Sequence, residues 1–259
     1  MDTARSAATQ VRNVEVGPRS AARAEQAGSE AWIIRVGAAA GIAGSLLAMV
    51  GNLLHPATAT GDPEGVARTI ADSDLWVVDH LAIVLGLILM LGGLVAIARW
   101  ITVGLPGALA RLGQVAAVAG ITVGLILVTL DGIAAKHIAE AWATAPPAEE
   151  AAALRLVLAE ETLNFSLAAL FNILFAGVTF ILYGLAVAWS GVRPRWLGWM
   201  VVVAGLGSMV VGLVQAYVGE STPITRLLTI VFPTIITLWV VQMGLLLLRK
   251  VPPLQEGIE

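Results

Sequence analysis

The side chains able to do chemistry in this sequence are few. It has three histidines (His55, His80 and His137), no cysteine and 18 acidic residues. Imidazole and carboxylate together form a ligand set for a divalent cation, with zinc, manganese or copper as natural occupants. His55, His80, Asp131 and Glu161 are the candidate metal ligands, and Asn52, Asn164, Asn172 and Gln215 extend them to a candidate ligand pocket. Asp79 precedes His80, Pro56 follows His55, and Glu160 stands beside Glu161. No HxxH or HExxH spacing occurs, so any metal site has to be assembled from separate elements. The absence of cysteine excludes disulfides, thiolate metal sites and cysteine nucleophiles. Ser45 and Ser208 have no adjacent histidine base, which gives a serine hydrolase little support. No phosphate-binding loop is present either. A bis-histidine haem held by His55 and His80 is one further arrangement that the residue types permit. No residue is assigned a catalytic role, and the cofactor, if it is a divalent metal, is otherwise unspecified.

The elements that position these residues follow from composition. The chain of 259 residues is 58% hydrophobic and 13% charged, with a mean hydropathy of +0.87. Soluble domains carry roughly 45–50% apolar and about 25% charged residues. Too little polar surface is left for a water-soluble globule, which excludes an ordinary cytosolic enzyme and a nucleic-acid binder. A spanning helix needs about 20 mostly apolar residues. Charge-free runs meet that requirement at Val36–Leu54, Leu81–Ala98, Leu112–Leu130, Thr162–Val192, Trp196–Gly219 and Leu227–Leu248. The expected organisation is a flexible polar tail over residues 1–31, a transmembrane domain over 32–249 and a short tail over 250–259. The first segment shows no apolar signal-peptide core.

Arginine and lysine set the orientation. Arg5, Arg12, Arg19, Arg23 and Arg35, then Arg99 and Arg111, Arg193 and Arg195, and Arg249 and Lys250 fall on one side. Only Arg68, Lys136, Arg155 and Arg226 fall on the other. Both termini are therefore expected in the cytoplasm, which places the histidines, Asp131, Glu160 and Glu161 near the outer face. The expected locale is a bacterial plasma membrane, from the bias towards Arg over Lys and towards Ala, Leu, Val and Gly.

Glycine marks the faces that meet inside the bundle. Gly37, Gly44 and Gly51 recur every seven residues, as do Gly113 and Gly120, and Gly198, Gly205 and Gly212. Seven residues make nearly two helical turns, so each set forms one stripe. In lipid, small residues let helix backbones approach closely. These stripes predict helix packing and an all-α bundle of three helical hairpins. At 100° per residue His55 falls on the stripe of the first span and Asp131 on that of the third span, and Gln215 flanks that of the fifth span. On the fourth span Glu161, Asn164, Asn172, Thr179 and Tyr183 share a sector of about 100°. His137 lies off the glycine face and is the least suited to point inward. A short surface helix is expected over residues 65–70, and a helix starting after Pro146-Pro147 is expected to run on into the fourth span.

The stretch Leu54-His55-Pro56, Asp62-Pro63, Ile70-Ala71, Leu75-Trp76, His80-Leu81, Gly92-Gly93 and Arg99 resembles bacterial six-helix membrane proteins grouped as domains of unknown function. The likeness covers the first hairpin best and implies the fold, with no activity attached. The expectation is a multi-pass protein with an outward-facing polar pocket, acting without catalysis in binding, sensing or the movement of a small solute or cation. A metal-dependent membrane hydrolase or redox protein using His55, His80, Asp131 and Glu161 is the alternative, and a structural partner subunit the third reading. The expected partners are the lipid bilayer and either a second copy of the chain or another membrane protein, with no nucleic acid.

Overall fold

The computed structural model describes residues 18–56, 62–192, 194–219 and 222–251. The N-terminal residues 1–17, Arg193 and the C-terminal residues 252–259, which entered the reading of tails and charge, lie outside the described residues.

Among the described residues every regular element is helical, and six helices are long and apolar enough to cross a membrane. In chain order they are α1 (Pro18–Leu54), the short α2 (Pro63–Asp72), α3 (Trp76–Trp100), α4 (Gly104–Thr129), α5 (Ala135–Ala143), α6 (Glu150–Phe171), α7 (Phe180–Trp189), α8 (Trp196–Val218) and α9 (Pro223–Lys250). A π-helical turn, Leu130–Ala134, joins α4 to α5, and a longer π-segment, Asn172–Thr179, joins α6 to α7. The third and fourth spans are thus single continuous helices, Gly104–Ala143 and Glu150–Trp189. α1 begins within the stretch read as a polar tail, because Pro18 is a ready helix start and the alanines that follow favour helix.

Glycine sets the closest approaches. A Cβ on Gly37 or Gly44 would meet the carbonyl oxygens of Gly92 and Gly86 at 2.5 Å, and one on Gly51 would strike Ile83, so the first stripe lies flat on α3. Gly113 and Gly120 face Tyr183 and Phe175 of the fourth span. The third stripe departs from hairpin symmetry. Gly198, Gly205 and Gly212 pack against Ala188, Gly177 and Ala169, so α8 turns its glycine face back to the fourth span rather than forward to α9. The fourth span is therefore held between two glycine stripes at the centre of the bundle. α8 meets α9 on another face, where Gly207 lies against the ring of Phe232.

The bundle interior is apolar and close-packed. Phe175, Phe180, Trp239, Met243, Leu94 and Leu247 form its centre, and the Tyr183 hydroxyl donates to the carbonyl of Leu94 at 2.8 Å. α9 passes unbroken through Pro233, flanked by Thr234 and Thr237, whose hydroxyls donate to backbone carbonyls one turn earlier. Arg35, near the start of the first span, donates to the carbonyl of Val251 at 3.1 Å just past the last, so those two ends lie together. At the other end α2, α5 and the start of α6 form a cap. Its buried side chains are Val66, Ala67 and Ile70 from α2, Trp76 from α3, Ala135, Ala139 and Trp142 from α5, and Val157 from α6.

Candidate metal centre

Under this cap, three chain segments far apart in sequence bring His55, His80 and Asp131 together. One ligand atom from each lies within 4.8 Å of the other two. His55 follows the last turn of α1, with its backbone N–H still donating to the carbonyl of Gly51. His80 sits in the second turn of α3. Asp131 occupies the π-turn after α4, where the wider turn shifts the phase of the helix and turns the carboxylate towards α3. Gly132 makes the approach possible, since a Cβ there would come within 2.4 Å of the His80 Cβ.

The hydrogen bonds fix the chemistry of both rings. His80 Nδ1 donates to the carbonyl of Trp76 and to Asp79 Oδ1, the latter at 2.7 Å. Both partners only accept, so the proton of the neutral ring sits on Nδ1 and the Nε2 lone pair is free. Nε2 lies 3.1 Å from Asp131 Oδ2, yet it is buried without a hydrogen-bond partner. His55 Nδ1 donates to the carbonyl of Pro56 at 2.9 Å, and its Nε2 lies 4.0 Å from the same Asp131 oxygen. Metal-bound histidines are held in this way, with the far N–H tied to a carboxylate or a backbone carbonyl. Two lone pairs and one carboxylate therefore converge, and nothing positive stands between them in the neutral tautomers. Tetrahedral zinc with bonds of about 2.0–2.1 Å spaces its donors about 3.3–3.4 Å apart. The separations of 3.1 and 4.0 Å bracket that value.

Trp76 braces the cluster. Its ring centroid lies 4.7 Å from that of His55 and 4.9 Å from that of His80, and its Nε1–H donates to the Asp131 carbonyl at 2.7 Å. The two imidazoles stand edge to face with centroids 4.9 Å apart. No porphyrin fits between rings in direct contact, so the haem arrangement is excluded on geometry. The site is shallow: the side chains of His55 and Asp131 are 27% and 30% exposed, that of His80 only 3%.

The other candidates do not join this group. Glu161 stands outside it and is half-buried. Its neighbour Glu160 is the one turned inward at 6% exposure, since adjacent helical residues point about 100° apart. Asn52 is exposed, and its amide donates to the carbonyl of Ala48 in its own helix at 2.8 Å. Asn172 donates to Gln215 at 2.9 Å, a buried link between the fourth span and α8 that serves packing rather than a pocket. Asn164 is half-buried, with Oδ1 buried and unpartnered. His137 is solvent-exposed beside Glu140. Ser45 and Ser208 are buried at helix contacts, away from any hydrogen-bond partner.

Sequence reasoning gave Trp76, Gly132 and Glu160 no part in the site. Trp76 precedes His80 by one helical turn, a spacing that places the two on one face. The π-turn that reorients Asp131 has no comparable local signal. In comparisons with known proteins, no family model, no curated protein and no solved structure matched the chain.

Proposed function

We propose that this membrane protein binds a divalent transition-metal cation, zinc best of all, at His55, His80 and Asp131, as a metal-binding or metal-sensing protein. The observation that carries this reading is the buried Nε2 of His80, 3.1 Å from the Asp131 carboxylate, together with a second imidazole held in the metal-ready tautomer. Imidazole with carboxylate favours zinc, copper or manganese over the harder calcium and magnesium. The excess of arginine at the opposite end supports an outward-facing site. There Asp62, Glu64 and Asp72, with Arg68 as the one basic residue among them, line a shallow concavity at α2, and a net negative charge of this kind raises the local cation concentration. Movement of the cation through the bundle has less support, because the centre below the site is filled by Phe175, Phe180 and Trp239.

Metal-assisted hydrolysis is the second reading. It is favoured by one observation, that three protein ligands at a partly exposed site leave a coordination position for water.

The direct experiment is zinc titration of the metal-depleted protein in detergent. One equivalent is expected to bind, with affinity lost in His80→Ala and in His55→Ala. Removing an outer hydrogen-bond partner of a metal ligand costs about 10–100-fold in affinity, so loss of a ligand itself should exceed that range. A wild-type protein that binds none of zinc, copper or manganese would overturn the reading. Unfolding temperatures of the variants separate lost ligation from lost structure.

A further inference from the structure

Glu160 lies on α6, under the cap and outside the three-residue group. It is 6% exposed, and its Oε1 is buried with no hydrogen-bond partner. Its electrostatic neighbours are Asp131 and Glu161, both acidic. One turn further along the same face, the Asn164 Oδ1 is also buried and unpartnered. Two acceptor oxygens on this part of α6 thus lack a donor, and Asp131 is an electrostatic neighbour of Glu160. A carboxylate taken out of water among other carboxylates is costly unless a cation or a proton compensates it.

We propose that Glu160 is the fourth protein ligand of the cation, swinging its carboxylate onto a metal already held by His55, His80 and Asp131. This rests on the metal reading above and extends it. Glutamate has one methylene more than aspartate, and α6 packs against the π-turn that carries Asp131, so the proposal requires Glu160 to change rotamer towards it. The donor set becomes two imidazoles and two carboxylates, which fills a tetrahedral zinc site. A filled tetrahedron leaves no water to activate, so the centre is a closed binding site and not a hydrolytic one. Its two carboxylates also offset the charge of a divalent ion, which suits a site at the edge of a low-dielectric bundle. The buried Oε1 then has a partner in the bound state.

Cobalt(II) reports the coordination directly, since its visible d–d absorption is strong when four-coordinate and weak at higher coordination. In the detergent-purified full chain, wild type is expected to give the intense four-coordinate spectrum. Glu160→Gln should weaken that band and lower zinc affinity by at least about tenfold, since losing a ligand costs no less than losing a ligand's outer hydrogen-bond partner. Glu161→Gln should change neither, and Glu160→Asp should fall between. Glu160→Gln is near-isosteric, and an unfolding temperature equal to wild type excludes misfolding. If Glu160→Gln matches wild type in spectrum and affinity while His80→Ala abolishes binding, the metal reading stands and the fourth-ligand assignment is wrong. If wild type takes up neither cobalt nor zinc, both fall together.

Discussion

At the scale of single residues, the site depends on groups that touch no metal. Asp79 is 4% exposed and holds the Nδ1 proton of His80. Asp79→Asn removes the charge that orients the ring and raises the basicity of Nε2, and zinc affinity is expected to fall about 10–100-fold. The measurement is competition against a chelator, and an affinity within twofold of wild type would remove Asp79 from the site. Gly132 matters through space alone. A methyl group there meets the His80 Cβ at 2.4 Å, so Gly132→Ala must push the π-turn and α3 apart. Overpacking of this kind costs typically 1–3 kcal/mol. The variant is expected to unfold at lower temperature and to bind zinc more weakly, because Asp131 moves with its neighbour. Binding should also weaken on acidification. Each ligating imidazole must be unprotonated and Asp131 ionised, so metal uptake releases protons and lower pH opposes it. Proton release on zinc addition in weakly buffered solution gives the sign directly.

At the scale of elements, one lysine fastens the cap. Lys136 Nζ donates to the carbonyls of Ile70, Ala71 and Ser73, at 3.2, 2.7 and 3.0 Å, where α2 ends. A cation at a helix C-terminus satisfies orphan carbonyls and complements the helix dipole. Hydrogen bonds to charged groups contribute about 1.5–3 kcal/mol. Lys136→Met keeps the apolar stem and loses these bonds. It is expected to speed hydrogen exchange across α2 while α8 and α9 stay protected; unchanged exchange in α2 would show that Val66, Ala67 and Ile70 hold it unaided. The long helices are held differently. Lipid offers apolar side chains no burial gain, so their contacts rest on close approach and dispersion. This is why Gly37, Gly44, Gly120 and Gly198 lie against backbone or Cβ atoms of the neighbouring helix.

At the scale of the whole molecule, the two ends differ in kind. One gathers the start of the first span and the end of the last, and the other carries the cap and the site. The positive-inside bias predicts that the cap faces outward. The chain has no cysteine, so a single one can be introduced as a reporter. Cysteine at the exposed Ala141 is expected to react with a membrane-impermeant maleimide in intact cells, and cysteine at Val103, 82% exposed between α3 and α4, only after permeabilisation. The reverse pattern would invert the topology and put the site in the cytoplasm.

The sequence by itself determined the six apolar spans, the glycine faces that meet and the shared neighbourhood of His55, His80 and Asp131. Hydropathy and helical periodicity are local properties, and a helix in lipid has to satisfy its backbone within itself, so chain order translates almost directly into architecture. Tertiary structure decided the rest. It chose Glu160 over Glu161 as the inward acid, tied Asn172 to Gln215 and turned the glycine face of α8 to the fourth span. Asn172 opens the π-segment Asn172–Thr179 and Asp131 lies in the π-turn Leu130–Ala134, and both segments alter helical phase without a local signal. Where a residue points after such a turn depends on what the neighbouring helices leave room for, and only the packed bundle contains that information.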